Sequence, residues 1–299
     1  MNRFLKICAL VSLAVFLSLH VEGQGMYRKL SVEFSAGRQV EDFNWSIAGN
    51  INGQSPDVLS ELKWTSVSGV DYSGSLQWNF WKNLVVIAAY NRVSVGSGKV
   101  SDRDFAGDNR TQATYNENFS DNKGHVSALY AGAGYIFFDN TNITLSGFAG
   151  YSTNRQSLYI TDESGRFPDL NSTYSTHWDG AFLKAESSVK ILRALSFVAD
   201  LTYNQVNYKG QGNWNLINEF QHPVSYRHSA KGYGLEAGGN LVFDLDKCIS
   251  LRAGYRWFKW ETGNGIDELY LSSGEVDKTQ LNGVYRNGHL LSCGIIISL

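Results

Sequence analysis

Proline, cysteine and long hydrophobic runs are all scarce in this sequence. The 299 residues include 3 Pro and 3 Cys, and one of the cysteines, Cys8, lies in the N-terminal segment. The two that remain cannot form a disulfide framework. No window of about 18 apolar residues follows residue 24, which excludes a protein that crosses a membrane as α-helices. The formal net charge of −2 provides no overall field that would attract nucleic acid, so we predict no nucleic-acid partner.

Common catalytic and metal-binding motifs are also absent. The sequence contains no Cys-x-x-Cys, no His-Glu-x-x-His and no Gly-x-Ser-x-Gly. A stretch that begins at Asp102 partly matches a calcium-binding loop, but Ala106 and Ala113 occupy positions that need oxygen ligands. We therefore predict neither a metal nor another cofactor.

The N-terminus matches a secretory signal peptide. Arg3 and Lys6 supply the positive start, residues 7–19 form a short apolar core, and Val21-Glu22-Gly23 offers a cleavage site. The apolar core is shorter than the roughly 20 residues that a membrane-spanning helix needs. We predict that residues 1–23 are removed and that residues 24–299 form a single domain.

Alternation between apolar and polar residues is abundant. From Glu61 to Phe80 the even positions are mostly apolar and the odd positions mostly polar, which is the period of a β-strand. The same pattern recurs at 195–204, 233–243 and 249–257. Charged residues therefore share one face, which a polar barrel interior can solvate and lipid cannot. The sequence predicts an all-β protein, a transmembrane antiparallel β-barrel.

Strand and loop lengths also favour a barrel in the outer membrane of a Gram-negative cell. Short connections alternate with long polar ones, as periplasmic turns alternate with extracellular loops. A soluble β-sandwich alternates too, but it does not explain strands of this length. Aromatic residues near strand ends are expected to form two interfacial girdles, namely Trp78, Phe80 and Trp81, and Trp257, Phe258 and Trp260. About ten strands are predicted, at residues 29–38, 59–80, 84–96, 126–137, 143–151, 178–190, 195–206, 231–243, 249–259 and 283–299.

Two carboxylates lie just beyond the predicted strand that ends near Gly96. Asp102 and Asp104 are two residues apart, so in an extended chain their side chains point the same way. Two close carboxylates raise one pKa and can hold a water or share a proton, which is general acid and base chemistry. A solvated acidic loop is the alternative, because surface aspartates are common.

Three segments resemble successive landmarks of the omptin family of outer-membrane proteases. They are Gly-Arg-Gln-Val at 37–40, Leu-Ser-Glu-Leu-Lys-Trp at 59–64 and Val-Ser-Asp-Arg-Asp-Phe at 100–105. The resemblance implies a ten-stranded barrel whose outer mouth carries an Asp pair facing an Asp-x-His dyad. It also implies water as the nucleophile and extracellular polypeptides as substrates. Asp102 and Asp104 match the Asp pair.

The sequence departs from the omptin pattern at the dyad. Counting back from Tyr226-Arg227 places the expected Asp-x-His close to Asn213-Trp214-Asn215, and neither asparagine can act as a base. Glu219 and His222 offer an acid and an imidazole on the same loop, three residues apart. His228 is a poorer candidate, because it adjoins the strand predicted to begin at residue 231.

Three functions remain open at this point. The first is a surface endopeptidase of aspartic type, with Asp102, Asp104 and His222 as catalytic residues. The second is a non-catalytic surface adhesin or structural envelope barrel that uses the same loops. The third is a diffusion pore, although side chains can fill a barrel of ten strands.

Lipopolysaccharide or another outer-membrane lipid is a predicted partner besides extracellular polypeptides. The omptin resemblance implies lipid contacts through basic residues on the outer wall, for which Arg227, Arg256 and Lys259 are candidates. Arg256 is alternatively an interior residue paired with Glu236 or Asp200, as barrel charges usually are.

Overall fold

The computed structural model describes residues 29–299, so the predicted signal peptide lies outside the described residues. It contains twelve antiparallel strands, and no helix among these residues is long and apolar enough to cross a membrane. The strands are β1 (Leu30–Ile47), β2 (Ser60–Trp81), β3 (Leu84–Gly107), β4 (Thr111–Ser120), β5 (His125–Asp139), β6 (Ile143–Thr161), β7 (Asn171–Leu192), β8 (Leu195–Asn213), β9 (Tyr226–Asp244), β10 (Ile249–Thr262), β11 (Gly265–Tyr270) and β12 (Val276–Ser298).

The sheet closes on itself because β1 pairs with both β2 and β12. The predicted antiparallel β-barrel is therefore confirmed, with twelve strands instead of about ten. The two extra strands are β4 and β11, which pair with β3 and β9 in the part of the wall farthest from the short turns. β3 pairs with β5 in its first half and with β4 in its second half, and β9 pairs with β10 below and with β11 above. The other strands thus form a complete ring near the short turns, and β4 and β11 extend the wall above that ring.

A belt of exposed apolar side chains surrounds the half of the barrel nearest the short turns. Phe34, Leu183 and Leu201 are each about 60% exposed there, at 62%, 63% and 58%. Such a surface suits the acyl region of a membrane and not water. Trp78, Phe80, Trp81 and Trp257 lie on this surface as predicted. The prediction was wrong for Phe258 and Trp260, which are buried inside the barrel because they occupy the opposite face of β10 from Trp257.

The interior of this membrane half is polar. Arg256 forms ion pairs with Glu236 (3.3 Å) and Asp200 (3.8 Å), and Lys184 contacts Glu186 at 2.9 Å. The charges line a cavity of about 320 Å³, and a second cavity of about 210 Å³ lies towards the short turns. Arg256 is therefore an interior residue, and its assignment to the lipid-facing wall is corrected.

The other half, which we call the outer half, extends beyond the apolar belt and has the opposite polarity. Its interior is filled by a cluster that includes Phe43, Trp45, Trp64, Tyr174, Trp178, Tyr208, Tyr226 and Trp260. Each large aromatic side chain contributes roughly 1.5–3 kcal/mol when it is fully buried. We call this cluster the aromatic core. It closes the barrel above the polar cavity.

Strand β2 shows how one alternating sequence can serve both halves. Its pairing with β3 is irregular between Thr65 and Gly69, and Ser66 has a φ of 54°. Leu62 is fully buried inside, whereas Tyr72, also at an even position, is 62% exposed outside. An irregularity of this kind moves all later side chains to the other face. The even positions of β2 therefore change sides where the strand leaves the membrane belt.

Candidate functional site

The predicted carboxylate pair lies on a strand and not on a loop. Strand β3 continues past Gly96 to Gly107, so the predicted strand end is corrected by 11 residues. Asp102 lies opposite Leu62 on one side and Glu117 on the other. Because Leu62 is buried inside the barrel and opposite residues share a face, the carboxylate pair faces the inside of the mouth.

Burial has the largest effect on the pKa values of Asp102 and Asp104. It raises the pKa of Asp102 to about 7, with a further rise from the negative charge of Asp104. Burial also raises the pKa of Asp104, against a hydrogen bond from Ser60 that lowers it. No Lys or Arg of residues 29–299 forms an ion pair with either carboxylate. The pair therefore holds one proton near neutral pH, with Asp102 as its principal site.

Two tyrosines and a glutamate border the carboxylates. Tyr115 lies opposite Asp104 in the β3–β4 pairing, and burial together with the charge of Asp102 raises its pKa to about 12. Tyr226 is buried, and its pKa is raised by burial and then by the charge of Asp102. Both phenols therefore stay protonated and can donate hydrogen bonds. Glu117 accepts two hydrogen bonds from Arg166, at 3.2 and 2.5 Å.

The asparagines at the expected dyad position connect loops to one another. The side-chain oxygen of Asn215 accepts hydrogen bonds from Asn171 N (2.9 Å) and the Ser172 hydroxyl (3.0 Å). Its amide nitrogen donates to the backbone oxygen of Asp169 at 2.8 Å. Both polar groups of its side chain are thus used to hold the β8–β9 loop against Asp169 of the β6–β7 loop and the first residues of β7. No carboxylate or imidazole of the dyad pattern is present there.

His222 lies on the β8–β9 loop with both ring nitrogens engaged. Nδ1 is 2.7 Å from Asn213 Oδ1, and Nε2 is 3.2 Å from the backbone oxygen of Ile217. Both ring nitrogens therefore contact protein atoms, so neither is free to bind a water. Neither Glu219 nor the Asp102–Asp104 pair is hydrogen-bonded to it. The catalytic role of His222 stays a prediction, and its action as a base requires the loop to release it.

A buried Asp–His pair lies deeper in the mouth, where sequence analysis did not expect one. His228 Nε2 is 3.0 Å from Asp267 Oδ1, and Nδ1 is 2.6 Å from the Tyr174 hydroxyl. That hydroxyl lies 2.7 Å from Tyr208 Oη. The His228 side chain is fully buried in the aromatic core, so no water can reach it for attack on a substrate.

Strand pairing across a predicted loop creates this buried pair. Asp267 lies directly opposite His228 because β11 pairs with β9, although residues 260–282 have the composition of a long extracellular loop. The alternation of Tyr226 and His228 on one face was the available signal. Among residues 29–299, no group of His, Cys, Asp and Glu could hold a metal ion.

One known protein family matches this barrel over most of its length. The family "Pom: Protochlamydia outer membrane protein" matches residues 33–299, which is most of the chain. The chain belongs to this family. Its location in the outer membrane follows, in agreement with the prediction. No curated protein matches the Pom-family chain.

Solved outer-membrane barrels resemble the Pom-family chain in fold. The outer membrane protease OmpT of Escherichia coli aligns with a TM-score of 0.73 over 95% of this chain and 99% of its own, at 14% identity. The translocator domain of the autotransporter NalP from Neisseria meningitidis has a TM-score of 0.39 at 12% identity, covering 99% of this chain and 96% of its own. OprG from Pseudomonas aeruginosa has a TM-score of 0.39 at 10% identity, covering 94% and 99%. The likeness to OmpT, at 14% identity, concerns the fold alone.

Proposed function

We propose that this Pom-family barrel is a surface endopeptidase of aspartic type, whose catalytic pair is Asp102 and Asp104 and whose substrates are extracellular polypeptides. The observation that carries the proposal is the partial burial of two carboxylates without a cationic partner, one of them with its pKa raised to about 7. Pairs of titratable groups held in different protonation states are a mark of acid and base sites. Similarity in fold to the protease OmpT adds support.

The pair can perform the chemistry without an imidazole. Residues two apart on a strand have Cα atoms about 6.6 Å from each other, which leaves room for a water between the carboxylates. Asp104, in its ionised form, takes a proton from this water as it attacks the scissile carbonyl. Asp102, protonated near neutral pH, then donates to the leaving amide nitrogen. Tyr115, whose hydroxyl stays protonated, is a candidate donor to the oxyanion that develops.

A cleavage assay tests the proposal. The refolded barrel in detergent with lipopolysaccharide is incubated with a broad peptide library, and Asp102→Asn and Asp104→Asn are compared with Asp277→Asn. Asp277 is an exposed rim carboxylate and serves as the matched control. We expect each mouth variant to lower the rate by about 100-fold or more, with Asp277→Asn unchanged. Binding without cleavage by the native barrel would reject the peptidase and favour the non-catalytic adhesin.

The polar interior favours a diffusion pore as the second candidate. The two cavities share seven lining residues, including Glu33 and Glu186, and they lead towards the end with the short turns. The aromatic core closes this space at the mouth, so conduction requires that core to move. Conductance in planar bilayers decides between the two: steady ion flow through the native barrel would support the pore, and a silent bilayer would reject it.

We also propose that phosphates of outer-membrane lipids contact a row of basic residues on the outer wall. Strand register aligns Arg92, Arg155, His177 and Lys209 through Ser127, from β3 to β8, just above the exposed Tyr90 and Tyr151. Of the residues predicted earlier for this role, Arg256 is interior, Lys259 is paired with Glu261 at 2.7 Å, and Arg227 stacks on Tyr270.

Vesicle binding tests the lipid proposal. Arg155→Gln with Lys209→Gln should weaken association of the refolded barrel with lipid A vesicles, because two cations that face phosphate are lost. Vesicles of phosphatidylethanolamine alone should show little difference between the native and variant barrels. Equal association of both barrels with lipid A would reject the row as a lipid site.

A further inference from the structure

One strand at the mouth has an open edge. β4 pairs with β3 from Thr111 to Ser120, but its other edge meets β6 at a single position, Ser120 opposite Thr161. Most other strands of the outer half are paired along both edges, and the unpaired edges of β6 (residues 158–160) and β12 (residues 276–279) within residues 29–299 are shorter than that of β4. Alternate backbone N–H and C=O groups of residues 111–119 therefore face the gap and not a neighbouring strand.

Side chains of the β6–β7 loop, residues 162–170, cover this edge. Arg166 binds Glu117 through the two hydrogen bonds described above, Glu163 accepts a hydrogen bond from Asn122 at 3.0 Å, and Phe167 packs on Phe119 with ring centroids 5.6 Å apart. No backbone hydrogen bond from residues 162–170 to residues 111–119 is present in the described part of the chain. The edge is shielded, but its backbone groups are left unpaired.

The inward face of the same strand carries one carboxylate, Glu117. Glu117 lies opposite Asp102 and Tyr115 lies opposite Asp104, so both share the face that carries the carboxylate pair. Arg166 is 56% exposed at its side chain while bound to Glu117. A guanidinium of the chain itself thus shows where a cationic side chain can dock. The pair at Asp102 and Asp104 has no such partner.

We propose that an extended polypeptide with cationic side chains at alternate positions binds as an added strand along the free edge of β4. Backbone hydrogen bonds to residues 111–119 supply the alignment, and side chains on one face of the added strand point into the mouth. One cation replaces Arg166 on Glu117. The added strand is separated from β3 by β4, so its backbone lies roughly 10 Å from the Asp102–Asp104 pair. The paired segment therefore anchors the peptide, and the segment that continues beyond it is the one presented to the carboxylates. The inference rests on the proposed function and names the substrate class and its binding mode.

The proposal has a specific consequence for peptide backbones. In an added strand, the N–H groups of alternate residues bond to β4 and those of the remaining residues face away. Methylation of the first set removes the pairing, whereas methylation of the second set leaves it intact. A peptide held only by its charge would tolerate both patterns equally.

The experiment uses a nine-residue peptide with Lys at alternate positions and Thr between them. Two further versions carry N-methyl groups on the odd or on the even residues, and binding to the refolded full barrel is measured by fluorescence anisotropy. We expect one methylated version to lose about tenfold in affinity or more while the other binds like the parent. Equal affinities for the two methylated versions would overturn the proposal.

Substitutions in the barrel itself provide a second test of the same site. Arg166→Gln should raise the affinity for the parent peptide several-fold, because the internal competitor for Glu117 is removed. Glu117→Gln should lower it several-fold, and Asp277→Asn should leave it unchanged. All three positions are at the surface, and retention of the barrel is checked by circular dichroism. An affinity that responds to neither Arg166→Gln nor Glu117→Gln would overturn the assignment of the edge.

Binding and cleavage are scored separately, so the two proposals can fail independently. If affinity depends on the methylation pattern but no peptide is cleaved, the edge site stands and the peptidase fails. If the peptides are cleaved and both methylated versions bind equally, the peptidase stands and the edge site fails.

Discussion

The membrane half and the outer half of this barrel have opposite polarity on the same strands. In the membrane half, apolar side chains such as Leu183 and Tyr72 face outwards and ion pairs such as Arg256–Glu236 lie inside. In the outer half, Trp64 and Trp178 are fully buried inside and Lys209 and Arg227 are exposed outside. Each half places its apolar face away from water, which is outside in a membrane and inside above it.

The difference between the two halves accounts for the raised pKa of Asp102 at the mouth. Polar groups in the membrane half are mutually paired around a cavity, so their charges are compensated. In the outer half, the aromatic core excludes water from groups placed at its upper margin. Asp102 is one of these groups, and it has no cationic partner, so its pKa rises. A folded, dry outer half is therefore the precondition for the proposed acid and base chemistry.

The largest expected effect comes from breaking the aromatic core. Trp178→Ala should destabilise the outer half by about 3–5 kcal/mol, because it removes a fully buried indole and leaves a cavity. Limited proteolysis should then cut the strands above the apolar belt while the membrane half stays intact. Trp81→Ala, which is 60% exposed in the belt, serves as the control. Equal protection of both variants would contradict the division into halves.

Removing the buried imidazole should have the next largest effect. His228→Leu removes one hydrogen-bond partner each from Asp267 and Tyr174, which keep Thr279 and Tyr208, and this loss in a dry environment costs about 1–3 kcal/mol. Hydrogen exchange should rise at the amides of β11 and of residues 226–229 of β9 and stay unchanged in the membrane half. An exchange increase spread evenly over the whole barrel would show that the two halves unfold as one unit.

Asp102 should make the stability of the outer half depend on pH. Its pKa is about 7 in the folded barrel against an ordinary value of 3.8, so its favourable contribution is complete below about 4 and is lost as the pH rises to about 7. Asp102→Asn should therefore stabilise the outer half at pH 8, by an amount on the order of 1–3 kcal/mol, and should have little effect at pH 4.

Urea unfolding at both pH values, followed by tryptophan fluorescence, measures this difference. Asp121, whose pKa burial also raises to about 7, should leave a residual dependence in the variant. A variant that is destabilised equally at both pH values would contradict the sign of the effect.

The smallest expected effect concerns the belt. Trp81→Ala should change unfolding in lipid bilayers by less than about 1 kcal/mol, because a neighbouring aromatic, Phe80, also lies at the interface. Comparison of the variant in detergent and in bilayers isolates the membrane contribution. A large loss in detergent would indicate that the belt supports the fold itself.

The membrane half was predictable from sequence, since alternation reports directly which face meets lipid. The outer half was largely assigned to loops, and β1, β3 and β6 in fact continue to Ile47, Gly107 and Thr161. The reason is physical: the outward face there is polar, so these extensions have the composition of loops. The irregular pairing near Ser66 also transfers a continuous pattern to the opposite face without a visible break.

The site was partly predictable for similar reasons. The spacing of Asp102 and Asp104 was sufficient to place both carboxylates on one face, whatever the surrounding structure. The Asp267–His228 pair could not be found, because its members are brought together only by the pairing of β11 with β9. Burial, which shifts the pKa of Asp102, likewise arises from tertiary packing and not from local sequence.

Infrared titration of the carboxyl groups in the refolded barrel tests the central claim most directly. The difference between the native barrel and Asp102→Asn isolates the protonated carbonyl band of Asp102 between pH 3 and pH 9. A band that disappears with a midpoint near 7 is the predicted result. A midpoint near the ordinary value of about 4 would show that the pair is solvated, and would contradict both the dry mouth and the acid and base role assigned to it.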